Sequence, residues 1–187
     1  MSDSPQVMPE AEVSLRLAIH LLSSERAKGV VSVAIDGAQV RLVDKVHFSV
    51  RDFMRDHGWH TDSPDRWQAM YHHDSFPGAI EVHSRSGVGD VYATLTDNSP
   101  FIAEAKKGPL LRSKSSAEYP LLREALGQLI TIESLPENPT LAVAVPHSPK
   151  FAQLAARWRQ APLVRLTGIL ILTVGQDGSV DGWQGAV

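Results

Sequence analysis

Leu141-Ala142-Val143-Ala144-Val145 is five residues long and carries no polar side chain. Leu166 to Val174 is a second run of this kind, apolar apart from Thr167, Gly168 and Thr173. Successive residues of a strand point to opposite faces of its sheet, so a strand that is apolar throughout has to be covered on both sides. A chain with such strands folds in layers and must supply helices to cover them.

The rest of the sequence supplies them. Apolar residues at helical spacing, with breakers at the ends, predict helices over Ala11–Lys28, Lys45–His57, Pro120–Glu133 and Pro149–Gln160. Shorter runs predict strands over Ala79–Arg85, Asp90–Leu95 and Phe101–Lys106, parted by Ser86-Gly87-Val88-Gly89 and Asp97-Asn98-Ser99-Pro100. Val30–Ile35 and Ala38–Val43 flank Asp36-Gly37, a two-residue turn signal that predicts a β-hairpin. Met1–Glu10 reads as a loose tail, and Thr61–Pro77 as irregular or partly stranded. The expected fold class is α/β (α+β), a mixed sheet flanked by helices. Residues 1–44 form an N-terminal tail, helix and hairpin extension, and residues 45–187 a core that makes one compact domain with it.

Composition narrows the function classes. The chain has 187 residues, 43% of them hydrophobic and 21% charged, as expected of an ordinary soluble globular protein. No apolar run approaches the roughly 20 residues that span a bilayer, so no membrane partner is expected. The first residues lack a signal-peptide pattern, and with no cysteine there is neither a disulfide framework nor a thiolate zinc site. A cytoplasmic location is the expectation. The net charge of −3 argues against a protein that coats nucleic acid through bulk charge. A local strip differs: Lys106, Lys107, Arg112, Lys114 and Arg123 are interrupted by one acid, Glu118.

The stretch that carries chemistry is Gly89-Asp90-Val91-Tyr92 followed by Phe101-Ile102-Ala103-Glu104-Ala105-Lys106. Glu104 and Lys106 alternate onto one face of a strand. A hairpin register centred on Asn98 sets Asp90 opposite Lys106 and Tyr92 opposite Glu104. The two carboxylates are then diagonal neighbours, about 7–8 Å apart at the backbone. Magnesium takes oxygen ligands, binds through one or two carboxylates and keeps several waters. A lysine beside it can orient the attacking water or stabilise charge that develops on phosphorus.

Asp, thirteen residues, then Glu-x-Lys on an apolar strand resembles the PD-(D/E)xK, or restriction-endonuclease-like, nuclease superfamily. The resemblance implies a core of helix, three strands, helix and strand, matched here to Lys45–Val145. It implies a Mg²⁺ (or Mn²⁺) ion held by Asp90, Glu104 and the carbonyl of Ala105, with Lys106 catalytic and Gln128 in support. Ile132 stands where some branches carry a tyrosine, and Gly89 where proline often precedes the aspartate. Asp56 and Glu81 are candidates for a further acid. The function implied is phosphodiester hydrolysis, of DNA ahead of RNA. Arg85, Lys107, Arg112 and Lys114 would contact nucleic acid, and a homodimer or larger complex would serve double-strand cutting. The alternative is a catalytically inactive nuclease-like fold that binds nucleic acid or assembles into a larger complex.

Other residues invite weaker readings. His57, His60, His72 and His73, with Asp62 and Asp74 nearby, have the residue types of a zinc site, but their spacing fits structural or exposed histidines better. His83 reads either as a phosphate contact or as a structural histidine. Trp59, Trp67, Trp158 and Trp183 are of the type that stacks on bases, but in a domain of this size tryptophan more often fills a core or an interface.

Overall fold

The computed structural model describes residues 6–37, 41–42, 45–111 and 117–183. Its strands are β1 (Val7–Met8), β2 (Ala27–Ala34), β3 (Arg41–Leu42), β4 (Lys45–Val46), β5 (Ala69–His73), β6 (Phe76–His83), β7 (Val91–Leu95), β8 (Pro100–Ala105), β9 (Gly108–Pro109), β10 (Thr140–Pro146), β11 (Leu170–Val174) and β12 (Val180–Asp181). Its helices are α1 (Glu10–Ser23), α2 (Val50–Asp56), α3 (Glu118–Ile130), α4 (Pro149–Arg159) and α5 (Pro162–Thr167).

Among the described residues, eight strands form one mixed sheet in the order β12-β11-β10-β8-β7-β2-β6-β5. β10 runs parallel to both β8 and β11, and β2 parallel to β6, while β2, β7 and β8 make an antiparallel series. The run Leu141–Val145 lies inside β10, between two parallel neighbours, as its lack of polar side chains requires. Ala142 and Ala144 belong to the core under α1. Val143 and Val145 belong to a second core with Leu122, Leu129, Phe151 and Leu154 of α3 and α4. Small residues on one face let α1 approach the sheet closely; larger ones on the other fill the wider space beneath two helices.

α1 is buried along most of its length, at Ala11, Val13, Leu15, Leu17, Ala18, Leu21 and Leu22. Glu10 and Glu12 occupy its first turn, where the helix dipole favours negative charge.

The structure corrects several expectations. Val30–Ile35 does not pair across Asp36-Gly37. It forms most of β2, which is bonded to β6 on one edge and to β7 on the other. Both its edges are satisfied by strands remote in sequence, so the local turn signal loses to tertiary pairing. Residues 38–40 and 43–44 lie outside the described residues, and Arg41–Leu42 pairs instead with Lys45–Val46. The helix and strand assigned to an extension over residues 1–44 are thus integral to the main sheet and its core. The helix expected from Lys45 begins at Val50, where Ser49 caps it by accepting the Asp52 N–H. Thr61–Pro77 contains β5 and the start of β6. Leu166–Val174 splits into the end of α5, closed by Gly168 in the left-handed conformation, and β11.

From Lys45 onward the chain does not run simply as helix, three strands, helix and strand: β5 precedes β6, and β9 lies between β8 and α3. β6, expected to lie beside β7, is separated from it by β2. Strands β2, β7, β8 and β10 pair one after another, preceded by α1 and with α3 between β8 and β10 in the chain, and residues 35–90 are inserted between β2 and β7. Among the described residues no helix is long and apolar enough to cross a membrane.

Candidate functional site

The β7–β8 hairpin turns through Thr96–Ser99. The Leu95 N–H donates to the Ser99 carbonyl at 2.9 Å, and Asn98 takes a positive φ of 74°. The ladder pairs Val91 with Ala103, Tyr92 with Ile102 and Ala93 with Phe101. This register is displaced by two residues from the one centred on Asn98, so Tyr92 does not oppose Glu104. A shift of two keeps every side chain on its face. Beyond the last ladder pair, the Asp90 N–H bonds the carbonyl of Ala103, the partner of Val91, and the Asp90 and Glu104 side chains meet.

Asp90 is held by backbone groups of two neighbouring strands. Its N–H donates to the Ala103 carbonyl at 2.9 Å, and its carbonyl accepts the Ala34 N–H at 2.8 Å. Its carboxylate oxygen Oδ2 accepts the Ala105 N–H at 2.8 Å. Gly89 makes this approach possible. It sits at φ 77°, and a Cβ there would lie 2.9 Å from the Ala103 carbonyl oxygen. Proline, fixed near φ −65°, cannot occupy the position.

The Asp90 and Glu104 carboxyl groups are hydrogen-bonded to each other. Burial pushes Asp90 up from its ordinary 3.8 to about 6; the charge of Glu10 adds to the rise, while the Ala105 N–H and Lys106 oppose it. Burial and then the charge of Asp90 push Glu104 up from 4.5 to about 7, with Glu10 adding and Lys106 opposing. Two facing carboxyls with raised proton affinity resist carrying two negative charges unless a cation joins them.

Lys106 follows at the end of β8, its side chain 8% exposed. Its ammonium lies 3.6 Å from a carboxylate oxygen of Glu10 on α1 and 3.6 Å from one of Glu124 on α3. The start of α1, the end of β8 and the middle of α3 therefore meet at one charge cluster. A cleft of about 520 Å³ opens there, walled by Glu10, Asp90, Glu104, Lys106 and Gln128, with Asp36 and Arg85 also on its lining.

The structure thus brings together Asp90, Glu104, Lys106, Gln128 and Arg85. Ala105 is present through its N–H. Lys107 is exposed just beyond Lys106, and Arg85 is ion-paired with Glu81 at 2.5 Å. Arg112 and Lys114 lie outside the described residues. Neither candidate for a further acid joins the cleft: Asp56 pairs with Arg55 on the exposed end of α2, and Glu81 is held by Arg85 on β6. The further acids on the cleft are Asp36, which the sequence reads as a turn residue, and Glu10, which the sequence places in a loose tail. The one local signal for Glu10 is its place at the start of a helix.

The remaining candidates are absorbed by packing. His57 hydrogen-bonds the Phe53 carbonyl and stacks on its ring. His60 and His72 bridge β5 to the preceding loop through their backbones. Trp59 is buried, Trp67 packs against the larger core, Trp158 meets Tyr119 edge-on, and Trp183 packs on Phe101 and His20. Among the described residues no group of three or more His, Asp or Glu side chains is arranged to hold a metal ion. Magnesium does not require one, since one or two carboxylates suffice when water and substrate complete its shell. Comparison with family models, curated proteins and solved structures gave no match.

Proposed function

We propose that the chain is a divalent-cation-dependent phosphodiesterase. More narrowly, it is a nuclease of the PD-(D/E)xK kind, acting on DNA ahead of RNA. The observation that carries this reading is the pair of facing, hydrogen-bonded carboxyls of Asp90 and Glu104 in one cleft with Lys106. Structural ion pairs match acid with base; this site sets acid against acid and leaves an opening beside them. Support also comes from the series α1, β2, β7, β8, α3 and β10, the element order that the superfamily resemblance implies.

Asp90 and Glu104 would hold Mg²⁺ or Mn²⁺, with the Ala105 carbonyl as a further oxygen. The bound cation would polarise the phosphoryl group and lower the pKa of a bound water. Lys106, oriented by Glu10 and Glu124, places a positive charge where the attacking water and the developing phosphorane need one. Gln128 can hydrogen-bond the same water or a phosphate oxygen from the opposite wall. Lys107 would meet a neighbouring phosphate, while Arg85 would have to part from Glu81 to do so. Cutting both strands of a duplex would take two copies of the site, so a homodimer fits that use.

The rival is a binding or assembly module of the same fold, and the capture of Lys106 by two carboxylates favours it. The test is cleavage of plasmid, linear and single-stranded substrates with Mg²⁺, Mn²⁺ or EDTA, using Lys106→Ala as the control. Metal-dependent cleavage by the wild type that drops at least about 100-fold in Lys106→Ala supports the nuclease. Equal cleavage by both proteins, or nucleic-acid binding with no cleavage, defeats the catalytic assignment.

A further inference from the structure

The helical layer of α3 and α4 buries one face of β8, β10 and β11 and goes no further. Its core contains Ile102, Val143, Val145 and Ile171, and no residue of β2, β5, β6 or β7. Among the described residues no helix covers the same face over those four strands, which carries Tyr92, Ser32, His83 and Met70. Val31, Val33, Ile80, Val82 and Val91 point the other way, into the core under α1. We propose that this open face is a trough for unpaired nucleotides flanking the scissile phosphate, which makes single-stranded DNA the preferred substrate class. This proposal rests on the nuclease reading of the adjoining cleft.

The trough is continuous with that cleft. A recess of about 180 Å³ is lined by Ser32, His83, Val88 and Tyr92 and shares Ala34, Gly87 and Gly89 with the carboxylate cleft. A further depression over β5 and β6 shares His83 with the recess and Ser84 and Arg85 with the cleft. Three strand spacings, about 14 Å, separate β7 from β5. A nucleotide chain leaving the carboxylates over Gly89 therefore meets Tyr92 and Ser32 first, with room for two or three bases beyond.

The groups on this face suit bases. Tyr92 and Ser32 are register partners across β2 and β7, so they share the face, and Tyr92 is 39% exposed. An exposed aromatic ring stacks on any base, whatever the sequence.

Ser32 and His83 lie 2.7 Å apart, which invites comparison with a nucleophilic dyad. The hydrogen bonding excludes that use. The Arg85 N–H donates to His83 Nδ1 at 3.2 Å, so Nδ1 is an acceptor and the neutral ring carries its proton on Nε2. Nε2 then donates to the serine oxygen and cannot take its proton, as a general base must. Ser32 keeps its own O–H to donate, and it lines the recess where a base carbonyl or ring nitrogen would lie.

Charge points the same way. Arg85 and Glu81, which line the depression over β5 and β6, neutralise each other. Gripping a duplex through its phosphates calls for a row of cations, whereas stacking does not.

The test uses the full chain and an end-labelled 12-nucleotide strand, alone and as a blunt duplex. Binding is read by fluorescence anisotropy in Ca²⁺, and cleavage in Mg²⁺ or Mn²⁺. The wild type should bind and cut the single strand in preference to the duplex. Tyr92→Ala should weaken single-strand binding about 10-fold or more, Tyr92→Phe should retain it, and Ser32→Ala should weaken it less than Tyr92→Ala. Wild-type cleavage with no effect of either alanine variant overturns the trough and leaves the nuclease reading standing. Preference for the duplex also overturns it. Neither binding nor cleavage by the wild type overturns the nuclease reading and the trough with it.

Discussion

Replacing Asp90 with asparagine removes one charge from the facing pair and keeps its shape, since an amide oxygen can still accept the Ala105 N–H. The consequence for stability follows from linkage. In the metal-free protein the aspartate binds its proton more tightly folded than unfolded, so the native state loses stability as pH rises through the window from about 4 to about 6. A change from 3.8 to about 6 corresponds to about 3 kcal/mol, fully expressed above that window. Glu104 acts with the same sign up to about 7. Asparagine has no charge to bury. At pH 4 in EDTA, Asp90→Asn and wild type should therefore unfold at nearly the same urea concentration. At pH 8 the variant should be the more stable by up to about 3 kcal/mol, or roughly 6–12 °C in Tm for a chain of this size. Adding Mg²⁺ at pH 8 should raise the wild type and leave the variant where it was, because a cation stabilises only the state that binds it. The reasoning fails if the two proteins are equally stable at pH 8, or if the variant is the less stable at both pH values.

Three other substitutions probe different parts of the structure. Gly89→Ala forces a side chain into the left-handed region and against the Ala103 carbonyl, so it should lower stability by about 1–3 kcal/mol and abolish activity; denaturant unfolding and cleavage assays check both. Glu10→Gln removes a charge that raises both carboxyls, so their titration midpoints in the metal-free protein should move down, as read by NMR. Ser148→Ala deletes the cap that accepts the Phe151 N–H at the buried start of α4, and should cost about 1 kcal/mol in urea unfolding without changing metal affinity.

What the sequence discloses depends on whether a signal is local. Leu141–Val145 announces two-sided burial by itself, because a strand without polar side chains fits nowhere else. Glu104 and Lys106 share a side by alternation, and a two-residue error in register leaves that conclusion intact. Val30–Ile35 shows the limit. Its alternation correctly puts Val31, Val33 and Ile35 on one face, yet its partners are not the next segment over Asp36-Gly37 but β6 and β7, about 50 and about 60 residues downstream. Glu10 shows it again. Nothing around that residue marks it as facing Lys106; the contact exists because α1 crosses beneath the sheet and delivers its first turn to the end of β8. The inserted stretch between β2 and β7 likewise hides the helix–strand series, because spacing along the chain no longer mirrors adjacency in space.

The three backbone bonds at Asp90 have a consequence for how fast the site can change shape. Its carbonyl, its N–H and its carboxylate are each tied to an amide group of β2 or β8. Turning the carboxylate breaks only its bond to the Ala105 N–H, but moving the backbone that carries it requires parting strands in the middle of the eight-stranded sheet. Such openings belong to the slow, cooperative motions that amide hydrogen exchange detects, and the Ala34, Asp90 and Ala105 amides should exchange with the slowest of the chain. One side of the site is a fixed anvil, and whatever adjusts to an incoming strand must do so from the side of α1 and α3.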